Sequence, residues 1–192
     1  MPALESLSFF WRGFFYILKL IGRIYAFSSE ILIPFKCLFY TMATDFLSIH
    51  SDDHFMQQAY LQAQYAFEEG EIPVGAVIVA NNRIIAQAYN QTEKLNDVTA
   101  HAEILAFTAA AEYLGNKYLH DCTLYVTVEP CVMCAGASYW AQLKRVVFGT
   151  SEPKRGYRRV GNLLHPKTEM VSGIMAQECT DLMASFFAGK RN

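Results

Sequence analysis

Apolar and polar positions along this chain recur with two different periods, and the switches between them divide its length from residue 51 onward into helices and strands. Over residues 53–69, Met56, Tyr60, Ala63 and Phe67 recur at three- and four-residue spacing, which places them on one side of a helix. Ser51 or Asp52 supplies its N-cap and Gly70 its stop. Residues 74–80 and 83–89 are short apolar runs joined by Asn81-Asn82, residue types that tolerate left-handed turn geometry, and they predict a hairpin. A helix is expected over about 100–114, a buried strand over 123–128 (TLYVTV), and a helix from Pro130 to about Leu143. A strand over 145–150, a short strand near 170–174 and a helix over 176–188 complete the pattern. Helices and strands alternate throughout, which predicts one α/β domain over residues 42–192. No internal repeat or low-complexity linker interrupts it.

Residues 1–41 break from that plan. Aromatics crowd residues 9–40, but Arg12, Lys19, Arg23, Glu30 and Lys36 leave no uncharged run of about 18 residues, so the stretch makes a poor membrane span. Glu5, with no Lys or Arg ahead of the first aromatic cluster, makes it a poor secretory signal. The expectation is a working protein that begins at Met42, with residues 1–41 a hydrophobic leader outside the native domain that reflects a start-site artefact. A tether to a membrane surface is the rival reading. Mass spectrometry of the native N-terminus separates them, since an abundant peptide from residues 1–41 excludes the artefact. No membrane partner is expected for residues 42–192.

Composition narrows the class. At 192 residues and 53% hydrophobic content the chain can bury one substantial core. Five cysteines are an odd number and, with two drawn into the metal motif below, suit a reducing cytoplasm better than a disulfide scaffold. Cys37, Cys122 and Cys179 read as small hydrophobes. The net charge of −2 conceals an asymmetry: residues 42–140 carry 12 acidic and 3 basic side chains, residues 141–192 carry 4 acidic and 9 basic. The densest basic run is Lys154-Arg155-Gly156-Tyr157-Arg158-Arg159. Such a run can neutralise phosphates and stack a base, or be an ordinary solvated loop. Its place soon after the strand that follows the cysteine helix favours RNA.

The chemistry is concentrated in His101-Ala102-Glu103 and Pro130-Cys131-Val132-Met133-Cys134. One imidazole and two thiolates are three ligands for a tetrahedral metal, which leaves the open position of a catalytic zinc site. Iron is possible, although this donor set favours zinc. Cys131 and Cys134 share a face if a helix begins at Pro130, and a helix N-terminus lowers thiol pKa values. His101 and Glu103 both lean over a helix end if they lie in its first turn. The expectation is zinc between two helix N-termini, with Glu103 beside its water. A closed structural site needs a fourth ligand. Cys122 is nearest in sequence, but the strand at 123–128 would hold it on the order of 20 Å from Cys131.

These paired motifs are the signature of zinc deaminases, in which the glutamate is the general acid/base and not a ligand. With the segments IPVGAVIV (72–79), DVTAHAE (97–103), VTVEPCVMCAGA (126–137) and RVVFG (145–149), the chain from about His54 onward resembles the bacterial tRNA-specific adenosine deaminases of the cytidine/deoxycytidylate deaminase superfamily. The resemblance implies a cytidine-deaminase-like three-layer fold, a mixed five-stranded sheet between helices. It implies one zinc per subunit on His101, Cys131 and Cys134, with Glu103 as the catalytic proton shuttle. It implies deamination of adenosine to inosine at the wobble position of a tRNA anticodon, with the base unstacked from its loop. It matches Asn90 to an asparagine that contacts the target nucleoside; Ala102 and Pro130 are also expected at the substrate, and Lys154, Arg155, Arg158 and Arg159 of the basic run at the anticodon stem-loop. Glu129 reads as a structural acceptor beside the metal loop. Phe186 and Phe187 correspond to an aromatic pair that family members place near RNA, or they pack in the core. The resemblance also implies a cytoplasmic homodimer, with Gly136 and Ala137 allowing close approach of the cysteine helix.

Two features depart from the family pattern: Glu152 stands where members commonly carry aspartate, and the stretch from there to His165-Pro166 is short. Both bear on the choice of tRNA and leave the chemistry intact. Two rival functions share the motifs. A deaminase of a free base or nucleotide, such as cytosine or guanine, needs the same metal site without a basic surface. A non-catalytic RNA-binding subunit would dispense with Glu103.

Overall fold

The computed structural model describes residues 50–190; the expectations for residues 1–41 lie outside the described residues. The element order is α1 (Asp52–Glu68), β1 (Gly75–Ala80), β2 (Arg83–Tyr89), α2 (Ala102–Leu114), β3 (Cys122–Val128), α3 (Val132–Ala141), β4 (Arg145–Thr150), a 3₁₀ turn (Tyr157–Arg159), β5 (Glu169–Ser172) and α4 (Ala176–Gly189). The strands form one mixed sheet in the order β2-β1-β3-β4-β5. β1 runs antiparallel to both β2 and β3, whereas β3, β4 and β5 are parallel.

Every residue of β1 is buried, because helices cover both faces of the sheet. Ala76 and Ile78 join Leu124, Val126, Val146 and Phe148 in a core under α2 and α3, where Ala102, Ala106, Phe107, Ala110 and Ala135 meet them. The alternate residues Val77, Val79, Tyr125 and Val147 face the other way, onto Phe55, Met56 and Ala59 of α1. The period-two alternation of a strand thus feeds two cores, and the result is the three-layer fold expected from the sequence.

The boundaries shift where local chemistry overrides the apolar pattern. α1 starts one residue early because the Ser51 hydroxyl accepts the His54 amide at 3.1 Å. Asn81 and Asn82 take φ of 50° and 58°, the paired left-handed values of a tight hairpin turn. α2 begins at Ala102 and not near Ala100, with His101 as its extended N-cap residue. α3 begins at Val132, so Pro130 lies outside the helix and Cys131 is its N-cap residue; the Pro130 carbonyl instead accepts the Tyr157 amide. α3 also stops short of Leu143, because Gln142 turns left-handed at φ 56°. β5 ends at Ser172, ahead of the expected 174, where Gly173 leaves the extended region at φ 97°. The sequence pattern does not show the 3₁₀ turn at Tyr157–Arg159, which is too short to display a period.

Candidate metal centre and active site

Two helix N-termini meet at the carboxyl end of the sheet. β3 leads through Glu129 and Pro130 into Cys131, and the loop after β2 leads into His101, so the donors come from two segments far apart in sequence. His101 Nδ1 lies 3.6 Å from Cys131 Sγ and 3.5 Å from Cys134 Sγ, and the two sulfurs are 3.6 Å apart. A tetrahedral zinc with bonds of about 2.3 Å to sulfur and 2.0–2.1 Å to nitrogen needs edges of about 3.8 Å between sulfurs and 3.6 Å between nitrogen and sulfur. The triangle matches one face of that tetrahedron, and the donor types are those zinc prefers. Among the described residues this is the one cluster of three or more such groups able to hold a metal.

The electrostatics treat the three donors differently. Hydrogen bonding from Cys134, with further help from His101, draws the Cys131 thiol down to about 4 against the cost of burial. Cys134 is pushed up by that same hydrogen bond and by burial, so without metal the pair keeps one proton, on Cys134. The thiolate at Cys131 and the carboxylate of Glu103 raise the pKa of His101, although burial opposes them.

Glu103, the second residue of α2, is 3% exposed. Burial pushes its carboxyl pKa up, and the nearby Cys131 thiolate adds to the shift. A carboxyl held toward neutrality is suited to taking up and returning a proton. Ala102 is fully enclosed between the two functional residues, and Pro130 is buried in the metal loop. Asn90 follows β2; its backbone amide bonds to Val74 O, and the next amide, Gln91, bonds to Ala100 O, which ties Asn90 to the segment that delivers His101. Its side-chain amide donates to Glu71 Oε2 at 3.0 Å and to Thr92 Oγ1 at 3.1 Å. Nothing in the sequence pattern singles out Glu71. A single acid beside Ile72-Pro73 carries no local signal of burial, yet it is 2% exposed.

The basic run divides into two roles. Lys154, Arg155, Arg158 and Arg159 are all exposed. Arg158 nevertheless places Nη2 2.8 Å from Glu129 Oε2 and 2.8 Å from Ser151 Oγ, over the Phe148 ring. Glu129 also accepts the Glu152 and Arg158 amides, so it is the structural acceptor expected from its position. Burial would raise its pKa, and these donors outweigh burial and lower it. Arg159 bonds to the Lys154 carbonyl. Gly156 pairs with Cys131 in an antiparallel bridge, so this loop is stitched to a metal ligand. At the C-terminus Phe186 is buried against Phe67, whereas Phe187 is exposed.

A histidine and two cysteines arranged to hold a metal, with a buried glutamate two residues from the histidine and a mixed five-stranded sheet behind them, define a metal-dependent deaminase. The profile of the cytidine and deoxycytidylate deaminase zinc-binding region matches residues 49–150. The tRNA-specific adenosine deaminase of Agrobacterium fabrum is 41% identical over 144 residues, covering 72% of this chain and 95% of the relative. That of Bacillus subtilis is 42% identical over 142 residues, covering 71% and 88%. A solved structure of a tRNA:A34 deaminase, which edits adenosine to inosine at the wobble position of transfer RNA, superposes with a TM-score of 0.64 at 40% identity, covering 67% of this chain and 98% of that one. The chain belongs to the cytidine and deoxycytidylate deaminase family, among its tRNA-specific adenosine deaminases.

Proposed function

We propose that this protein converts adenosine to inosine at the wobble position of a tRNA anticodon, with release of ammonia. The observation that carries the reading is the His101, Cys131 and Cys134 triangle with Glu103 beside it, in a chain about 40% identical to tRNA-specific adenosine deaminases. His101, Cys131 and Cys134 hold one zinc ion per subunit. Zinc supplies a water whose pKa falls toward about 7, a nucleophile at neutral pH.

The remaining steps belong to the chain. As the water oxygen bonds to C6, Glu103 takes one water proton and passes it to N1 of the adenine ring; it then carries the remaining hydroxyl proton to the amino group, so that the C6–N bond breaks, ammonia leaves and the C6 carbonyl of inosine forms. Its burial and raised pKa let it act as acid and as base in one cycle. Asn90 contacts the target nucleoside, and Ala102 and Pro130 frame it. The target base must leave its stack, so a single-stranded anticodon loop is an easier substrate than a duplex. Lys154, Arg155 and Arg159 offer positive charge to the anticodon stem-loop. Arg158 contributes what its ion pair with Glu129 leaves open, its side chain being 40% exposed.

Self-association through α3 fits the same reading. Nothing lies within 4 Å of the position a Cβ at Gly136 would take, and Val132, Tyr139 and Trp140 of the same helix are exposed. The proposed working form is a cytoplasmic homodimer. No helix among the described residues is long and apolar enough to cross a membrane.

The test is inosine formation. Protein beginning at Met42 and the full chain are each incubated with a tRNA transcript carrying adenosine at the wobble position, and separately with free adenosine, cytosine and guanine. Inosine in the tRNA alone, lost in Glu103→Ala, supports the proposal. Turnover of a free base with untouched tRNA assigns the protein to small-molecule deaminases. Binding of zinc and tRNA without ammonia release points to a non-catalytic subunit.

A further inference from the structure

Asn90 is held in one orientation by the buried side chain of Glu71. Both hydrogens of its Nδ2 are engaged, one by Glu71 Oε2 at 3.0 Å and one by Thr92 Oγ1 at 3.1 Å. No protein donor among the described residues meets Asn90 Oδ1, and no buried side-chain oxygen in that region is left without a partner, so Oδ1 opens onto accessible space. The amide cannot turn over: a carboxylate only accepts, and a flipped Asn90 would set its oxygen against the Glu71 carboxylate. Glu71 is itself over-determined. Its Oε1 accepts the Lys94 amide at 2.8 Å and its Oε2 the Thr92 hydroxyl at 3.3 Å, while the Lys94 ammonium turns away to Glu69. A buried acid with three donors and no cationic partner among the described residues is an expensive arrangement unless its acceptor character is used.

We propose that Glu71 is a positioning residue that locks the Asn90 amide with only its oxygen turned to the substrate, so that this side of the site reads a hydrogen-bond donor on the target nucleoside. The inference rests on the reading that Asn90 faces the substrate. It predicts discrimination against an analogue whose donor at that edge is replaced by an acceptor, because a fixed oxygen then meets an oxygen or a bare nitrogen. It also assigns the segment from Asn90 to Lys94 a purpose: Glu71 organises it from below.

The acceptor can be moved between the two positions. In Glu71→Gln, whichever way the new amide faces, its NH₂ opposes either the Lys94 amide or the Asn90 amide. The second option is relieved by a flip of Asn90, which turns its donor to the substrate. In the double variant Glu71→Gln/Asn90→Asp, the introduced amide keeps its oxygen on the Lys94 amide and donates to the introduced carboxylate, whose second oxygen restores an acceptor toward the substrate.

The experiment measures kcat/KM for Glu71→Gln, Asn90→Asp and the double variant on the substrate the wild-type chain turns over, together with zinc content and the side-chain amide ¹⁵N–¹H spectrum of each. Each single variant should lose about 10- to 100-fold with zinc retained, the scale set by one misplaced hydrogen bond to a charged or desolvated group. The double variant should recover most of that loss. The Asn90 NH₂ resonances, protected from solvent exchange in the wild type, should lose protection in Glu71→Gln. A double variant no better than the worse single, or Asn90 resonances indifferent to Glu71→Gln, overturns the proposal. Failure of the tRNA reading shows separately, as a wild-type enzyme that turns over a free base and leaves tRNA intact, and the coupling is then read on that base. If the wild type turns over neither, the amide spectrum alone decides.

Discussion

Glu129→Gln changes one atom and tests how the basic loop is fastened to the metal centre. Glu129 Oε1 accepts the Arg158 amide at 3.1 Å; Oε2 accepts the Glu152 amide at 3.2 Å and Arg158 Nη2 at 2.8 Å. The glutamine NH₂ settles where it opposes fewer donors, at the Oε1 position, and strands the Arg158 amide. An unsatisfied, partly buried donor costs about 1–3 kcal/mol; the Glu152 amide bond, deprived of its charged acceptor, weakens by about 1 kcal/mol, and the Arg158 Nη2 bond, still assisted by the guanidinium charge, weakens by less. The Glu129 side chain is only 3% exposed, but Arg158 is 40% exposed and recovers part of its solvation. The expected net loss is about 2–4 kcal/mol, read as a lower urea midpoint at unchanged slope.

The loss should also reach the metal. Tyr157 N bonds to Pro130 O and Gly156 pairs with Cys131, so a loosened loop frees a ligand, and zinc affinity measured by chelator competition should fall about 10-fold. Arg159→Gln, which removes one exposed bond to the Lys154 carbonyl, should stay within about 0.5 kcal/mol. A Glu129→Gln protein as stable as that control, with unaltered zinc affinity, would refute the reasoning.

Three further outcomes follow from the geometry. Gly75→Ala should abolish soluble expression or cost about 3 kcal/mol or more by denaturation, because its Cβ would overlap Ala59 O and Ala63 N, backbone atoms of α1 that cannot step aside. Asp52→Asn should cost about 1–3 kcal/mol at pH 7, since Asp52 accepts Arg145 Nη1 and Nη2 at 2.6 and 2.8 Å and the Tyr125 hydroxyl at 2.8 Å. Its pKa is lowered, chiefly by Arg145, so this stability is present above the ordinary carboxylate range and lost as pH falls through the folded-state value; the difference between Asp52→Asn and wild type should therefore shrink below about pH 4 in acid titrations. Zinc binding to the metal-free chain should release the proton on Cys134, seen by calorimetry in buffers of different ionisation enthalpy, and affinity should rise with pH; heat independent of buffer would contradict the proton assignment.

Much of this protein is legible without coordinates. The periodic segments and short apolar runs yield all four helices and five strands of the described residues to within a few residues, because an element with one buried face shows a period and a strand covered on both faces shows a continuous apolar run. The donor set is legible for a different reason: metal chemistry admits few residue types, and His101, Glu103, Cys131 and Cys134 stand at short spacings that local structure alone can interpret. The offsets at Pro130 and Ala100 arise because N-cap residues are extended while their side chains still face the helix end, which periodicity does not report. What only the tertiary structure decided are relations between distant segments. In the sequence the basic run is uniform charge, yet Arg158 is drawn to Glu129, 29 residues away, by a buried carboxylate that needs donors. Glu71 has the local setting of an ordinary surface acid, yet the fold encloses it beneath Asn90, 19 residues on. Composition and spacing determine which chemical groups are available and which local shapes they favour. Which group ends up beside which is set by how the sheet's order brings chain ends together, and that order is a property of the whole packed core.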